Sequence, residues 1–193
     1  KPQLIKKFNI KYIKMDDSDF SECPLLVEKS DKYKDYHVTL PTYYRFKLAE
    51  LFPDMEKILY LDCDVMARGS LFELFDTDLT DYASGMVIDA ESDKETERLN
   101  ITKYFNAGVM LINLDYWRKN NIQQKLFEYA KNNKETILWQ DQDIVNIVLD
   151  EQIKELDKIW NFQYFQYDDI DSKTVPDCKI IHLAGRFKPR ITS

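Results

Sequence analysis

Short apolar runs alternating with stretches of helical spacing predict an α/β domain with a mainly parallel central sheet. Three observations carry this expectation. Lys57–Leu61, Ala83–Asp89 and Val109–Asn113 are apolar segments of strand length, the last two rich in Val, Ile or Met. Leu126–Asn132 and Asp141–Leu149 repeat apolar residues at helical spacing. The chain has 193 residues, 44% of them hydrophobic and 32% charged, which suits one domain (1–193) with a sizeable core.

Taken in order, Leu4–Phe8 reads as the last turn of a helix and Ile10–Met15 as a strand. The acidic turn Asp16–Asp19 follows, then a loop from Phe20 to Val38 whose Glu28–Asp35 part is a solvated face. Thr39 can cap a helix with Pro41 in its first turn, carried by Tyr43–Leu51 and stopped by Phe52-Pro53-Asp54. The strand Lys57–Leu61 leads into Asp62-Cys63-Asp64, then Val65–Ala67 and a short helix near Ser70–Leu74. Ile153–Leu156 and Lys179–Leu183 are late strands. Repeats, low-complexity tracts and linkers are absent from the sequence.

Composition excludes several classes. A formal charge of −7 argues against nucleic acid, which is bound by basic surfaces. No run approaches the roughly 18 apolar residues of a membrane span. Three scattered cysteines, none in a C-x-x-C pair, read as reduced thiols in a cytoplasmic protein rather than as a zinc site. The four glycines include no G-x-G-x-x-G or Walker loop, which weakens a dinucleotide or P-loop reading.

Asp62-Cys63-Asp64 is the most informative stretch. On an extended backbone Asp62 and Asp64 point the same way and Cys63 points back towards the core. Two acids side by side at a strand end want a cation, and a hard divalent ion that also binds phosphate fits them. A solvated turn is the plain alternative. His182 also ends an apolar strand, so it can reach the same sheet edge as a third ligand. Gly185 would let a backbone amide approach a phosphate, and Lys188 would offer it a point charge. His37 has no such company and reads as structural.

Gln140-Asp141-Gln142-Asp143 opens a helix. Capping alone explains Asp141 or Asp143, but not the glutamines; polar groups crowded there could bind sugar hydroxyls. Asn106, just before a buried strand, reads as a turn former or a polar contact. Arg45 lies on an otherwise apolar, aromatic-rich helix and is aimed at an anion or merely surface-exposed.

Together these residues resemble glycosyltransferase family 8, the retaining enzymes that include bacterial lipopolysaccharide galactosyl- and glucosyltransferases and glycogenin. The resemblance runs in order through Pro41–Lys47, Tyr60–Gly69, Phe105–Asn113, Gln140–Asn146 and His182–Pro189. It implies the Rossmann-like GT-A fold, a UDP-hexose donor (galactose or glucose) and Mn2+, with Mg2+ as the alternative. Asp62, Asp64 and His182 would be the metal ligands. Gly185 and Lys188 would hold the diphosphate, and Arg45 would help to hold the donor. Asn106, Asp141 and Gln142 match positions at the donor sugar, and Asp143 is a further candidate near the reaction centre.

Two departures stand out. The family's first strand and helix, which carry much of the uridine pocket, have no counterpart here, so a missing upstream segment is expected. The usual aromatic after Lys-Pro is replaced by Arg190. The resemblance implies a saccharide or glycolipid acceptor and a cytoplasmic location, at the inner face of the membrane if peripheral contact occurs; oligomeric state is not readable. The competing readings are a catalytically silent nucleotide-sugar-binding protein and a metal-dependent phosphohydrolase.

Overall fold

The computed structural model describes residues 9–25, 39–164 and 177–184. Leu4–Phe8, Glu28–Asp35, His37, Gly185, Lys188 and Arg190 lie outside the described residues.

A 3-10 segment, Leu40–Lys47, runs directly into the helix α1 (Leu48–Leu51). Thr39 precedes it without a side-chain capping bond, and Pro41 sits in the first turn, where a missing N–H costs nothing. Then come β1 (Lys57–Leu61), β2 (Val65–Ala67), α2 (Phe72–Phe75) and β3 (Ser84–Ile88). Two helices escaped the periodicity reading, α3 (Ser92–Leu99) and α4 (Leu114–Lys119). They flank β4 (Phe105–Asn113), whose last residue caps α4 by accepting from the Tyr116 N–H at 2.9 Å. Next are α5 (Ile122–Asn132), α6 (Gln140–Val148), β5 (Ile153–Glu155), β6 (Phe162–Gln163) and β7 (Ile180–His182).

The central four-stranded sheet has the order β1-β4-β3-β5. β4 runs antiparallel to both β1 and β3, while β3 and β5 are parallel. Among the described residues the sheet is therefore mixed, with a parallel component, instead of mainly parallel. Apolar spacing shows that a strand is buried; it does not tell which way the neighbour runs. The strand expected over Ile10–Met15 is likewise not formed among the described residues, and Tyr12 there is 83% exposed. An alternating segment becomes a strand only where a ladder partner takes up its N–H and C=O groups.

β4 is the hub. Its side chains enter two cores, one with Tyr43, Phe46, Trp117, Leu126 and Ile144, the other with Leu74, Val87, Trp160 and Ile180. Against β1 its register is regular from Lys57↔Asn113 to Leu61↔Val109. Against β3 it is not: Gly85 faces Leu111, but Val87 faces Asn106, so β4 bulges away over Ala107–Met110. Bulges of this kind re-aim side chains and free backbone groups. A second, three-stranded sheet, β2-β7-β6, pairs Val65 with His182.

Candidate active site

The bulge and the second sheet bring the distant motifs together. β1 ends at Leu61, and the Asp62 N–H continues the ladder by donating to the Gly108 carbonyl at 2.8 Å. The chain then turns, with the Val65 N–H 3.4 Å from the Asp62 carbonyl. Strand alternation therefore stops before Cys63, which is exposed rather than directed at the core. From the other side, the Leu183 N–H donates to the Asp64 carbonyl at 3.0 Å and seats His182 beside the acids. His182 is 4% exposed, with Nε2 3.4 Å from Asp64 Oδ1. One ligand atom from each of Asp62, Asp64 and His182 falls within 4.8 Å of the other two. Hard divalent ions take oxygen donors at about 2.0–2.6 Å, so this trio is close enough together that it could hold a single ion. Two carboxylates and an imidazole also suit such an ion chemically.

Gly108 makes room for the ring. A Cβ at this position would lie 2.1 Å from His182 Cε1 and 2.8 Å from both ring nitrogens. The close approach of backbone to imidazole is thus possible only without a side chain.

Arg45 is enclosed in protein, at 4% exposure. Its Nη2 donates to Asp62 Oδ1 at 3.0 Å, its Nε lies 3.0 Å from Asp141 Oδ2, and its Nη1 donates to the Ala107 carbonyl. The guanidinium also stacks 4.2 Å from the centre of the Tyr60 ring, whose hydroxyl donates to Asp62 Oδ1 at 2.6 Å. Burial alone would lower the Arg45 pKa, but Asp141 and Asp62 outweigh it and hold it above its ordinary value. Burial raises the Asp141 carboxyl above the usual carboxylate range, opposed by Arg45 and by the Thr42 hydroxyl that donates to it. Arg45 spans the gap between Asp62 and the start of α6.

Gln142 is held by the bulge. Its Oε1 accepts from the Ala107 N–H at 2.9 Å and its Nε2 donates to Asp89 Oδ2 at 3.2 Å. Asp89 also accepts from Asn106 Nδ2 at 2.9 Å, and Asn106 Oδ1 accepts from Asn161 Nδ2 at 2.9 Å. Asn161 Oδ1 in turn lies 3.1 Å from His182 Nδ1. A continuous circuit of contacts therefore runs from Asp62 through Arg45, the Ala107 backbone, Gln142, Asp89, Asn106 and Asn161 to His182. Asn106 lies within β4 rather than in a turn before it.

Asp143 sits one residue further along α6 and turns inward, fully buried. Its Oδ1 accepts from Tyr104 and Arg98, each at 2.7 Å, and its Oδ2 from the Leu138 and Trp139 N–H groups at 2.8 and 3.0 Å. All of these bonds anchor the entry to α6. Asn146 completes the attachment by bonding both backbone groups of Phe105, at 2.7 and 2.8 Å.

With this geometry in place, comparison with known proteins is decisive. The family model for glycosyl transferase family 8 matches residues 1–189. The chain belongs to glycosyltransferase family 8. General stress protein A of Bacillus subtilis is 32% identical over 175 residues, 79% of this chain and 60% of that protein. Lipopolysaccharide 1,3-galactosyltransferase of Salmonella typhimurium is 34% identical over 167 residues, 78% of this chain and 49% of that protein. The chain thus spans between about half and three fifths of the length of these family 8 relatives. The crystal structure of galactosyltransferase LgtC with donor and acceptor sugar analogs superposes with a TM-score of 0.77 at 32% identity, covering 94% of this chain and 68% of that one. The fold is accordingly the α/β GT-A fold, represented in part.

Within this family 8 chain, seven of the residues singled out from sequence meet in one connected polar cluster: Arg45, Asp62, Asp64, Asn106, Asp141, Gln142 and His182. Sequence reading missed Asp89, Asn161, Tyr60 and Thr42. Asp89 carried a usable signal, since it follows the apolar strand β3 as Asp62 follows β1. Asn161 carried none.

Proposed function

We propose that the protein transfers a hexose, galactose or glucose, from a UDP-sugar to a saccharide or lipid-linked acceptor with retention of configuration. The observation that carries this reading is the approach of Asp62, Asp64 and His182 to within 4.8 Å, tied by hydrogen bonds to Gln142. Asp62, Asp64 and His182 would hold a divalent cation, Mn2+ in preference to Mg2+. When bound, that ion supplies Lewis-acid stabilisation of the charge that builds on the diphosphate as it leaves.

The rest of the chemistry belongs to the chain and its substrates. Arg45 and Tyr60 orient Asp62 so that its carboxylate does not rotate out of the site. Gln142, with its oxygen already accepting from Ala107 and its nitrogen donating to Asp89, serves as a fixed polar wall beside the anomeric carbon rather than as a nucleophile. Asn106 and Asp141 complete the sugar-facing set, and Asp143 acts behind them by fixing α6. Gly185 and Lys188 take the diphosphate in this reading. The sugar–phosphate bond breaks, the acceptor hydroxyl attacks the same face, and its proton passes to the departing phosphate oxygen. Fixed dipoles aimed at the developing charges need no reorganisation during that step.

No helix among the described residues is long and apolar enough to cross a membrane. A cytoplasmic enzyme working at the inner membrane face on envelope glycans, lipopolysaccharide among them, fits the reading. Incubating full-length protein with UDP-glucose and UDP-galactose, with and without Mn2+, tests it. Metal-dependent release of UDP, nearly abolished in Asp62→Asn, is expected. Release of UMP and hexose 1-phosphate would mark a phosphohydrolase instead, and absence of nucleotide-sugar binding by calorimetry would end the transferase reading.

A further inference from the structure

We infer that Asn161 is a positioning residue that holds His182 in the tautomer with its proton on Nδ1, so that Nε2 presents a lone pair towards Asp62 and Asp64. This deepens the metal reading above and rests on it.

The argument starts from groups that have no choice. The Gly108 N–H can only donate, and it lies 3.1 Å from Asn106 Oδ1, which is therefore the amide oxygen. The Asp89 carboxylate at the other end accepts from Asn106 Nδ2 at 2.9 Å. Asn106 is thus oriented from both sides. Asn161 reaches the same Asn106 oxygen at 2.9 Å, so it does so with its NH2. Its own oxygen is then the atom 3.1 Å from His182 Nδ1. That contact is a hydrogen bond only when Nδ1 carries the proton.

Reversing the Asn161 amide would set its oxygen against the oxygen of Asn106. Relieving that by reversing Asn106 would put an NH2 against the Gly108 N–H and an oxygen against Asp89. Gln142 anchors the chain independently: its oxygen is fixed by the Ala107 N–H, so its NH2 also faces Asp89. One reversal therefore costs several contacts at buried groups, each expensive to leave unpaired. Asn161 is 1% exposed and follows the 3-10 turn Lys158–Trp160, with its own N–H bonded to the Lys158 carbonyl at 3.2 Å. It is a rigid, dry support. In a histidine ligand, the bond made by one ring nitrogen decides which state the other presents.

The test is histidine-selective 15N NMR of metal-free, full-length protein between about pH 7 and 9, with His37→Gln used to assign the His182 signals. Wild type is expected to show the Nδ1–H tautomer. Asn161→Leu should lose that preference and bind Mn2+ alone about 10–100-fold more weakly, the range typical of lost outer-shell partners. Asn161→Asp keeps an oxygen for Nδ1–H but loses its donor to Asn106, so it should hold the Nδ1–H tautomer better than Asn161→Leu does; a purely packing role would not distinguish the two variants. Should Asn161→Leu not fold, Asn161→Ser, too short to reach His182, gives the same reading. An Nε2–H tautomer in wild type, or an unchanged tautomer and Mn2+ affinity in the Leu or Ser variant, overturns the inference. An Nδ1–H tautomer whose signals are not broadened by Mn2+ supports the role of Asn161 and overturns the metal site itself.

Discussion

The imidazole of His182 occupies the space where a side chain on Gly108 would have to stand, 2.1 Å from the nearest ring carbon. Gly108→Ala should therefore move either the ring or β4. Overpacking a tight interior costs typically about 1–3 kcal/mol, and the ring cannot shift without changing its distance from Asp64. The expected result is a modest fall in the denaturation midpoint with a larger, separate fall in Mn2+ affinity. Wild-type affinity in a folded Gly108→Ala protein would show that the ring does not serve the ion.

Arg45 is the second point of leverage, because it answers two buried or half-buried acids at once. Arg45→Met leaves Asp141 in a dry site without its cation, a change that costs about 3–5 kcal/mol for a broken buried pair. Arg45→Lys should recover little of this, since a point charge cannot bridge Asp62, Asp141 and the Ala107 carbonyl together. Urea denaturation of the two variants measures both. A loss below about 1 kcal/mol in Arg45→Met contradicts the bridging role.

The raised Asp141 carboxyl gives a pH signature. Burial is its main cause, with Arg45 and Thr42 opposing. The folded protein keeps this proton to a higher pH than the unfolded chain, whose carboxylates titrate near about 3.9. The contribution is fully present below the unfolded value and is lost as pH rises through the folded one. Asp141→Asn has no such loss. The stability of the variant relative to wild type should accordingly improve as pH rises above the ordinary carboxylate value, whatever constant offset the lost ion pair adds. Denaturation without added metal checks the slope, and a flat or opposite difference refutes the assignment.

Thiol chemistry separates the turn from the core. Cys63 is exposed between the two acids, while burial pushes the Cys23 thiol up to about 11. Iodoacetamide at about pH 8 should modify Cys63 and leave Cys23 untouched until denaturant is added, because the thiolate is the reactive form. Peptide mass spectrometry reads the order. Equal labelling of both in native protein would remove the inside–outside distinction drawn at Asp62-Cys63-Asp64.

Much of the arrangement was legible in the sequence because its signals are local. Lys57–Leu61 was read with its observed bounds, and the Asp pair and His182 stood out as polar groups ending apolar strands. The facing of Cys63 was not legible, since strand alternation cannot reveal that the chain turns after Leu61. The bulge of β4 was hidden for a related reason: it exists only relative to β3, and nothing in Phe105–Asn113 alone states how its partner is aligned. Asp143 had the same helix-start signature as Asp141, and only packing turned one carboxylate to Arg98 and Tyr104 and the other to Arg45. Asn161 belongs to the same group, defined by what surrounds it.

The pairing of Val65 with His182 has a consequence in time as well as in space. On a ribosome, Asp62 and Asp64 emerge long before His182, so a growing chain at that stage offers two of the three groups. His182 reaches the two acids only when β7 pairs with β2. If the trio holds an ion as proposed, tight capture waits until the second sheet has closed, and a bound metal would report that the fold is finished.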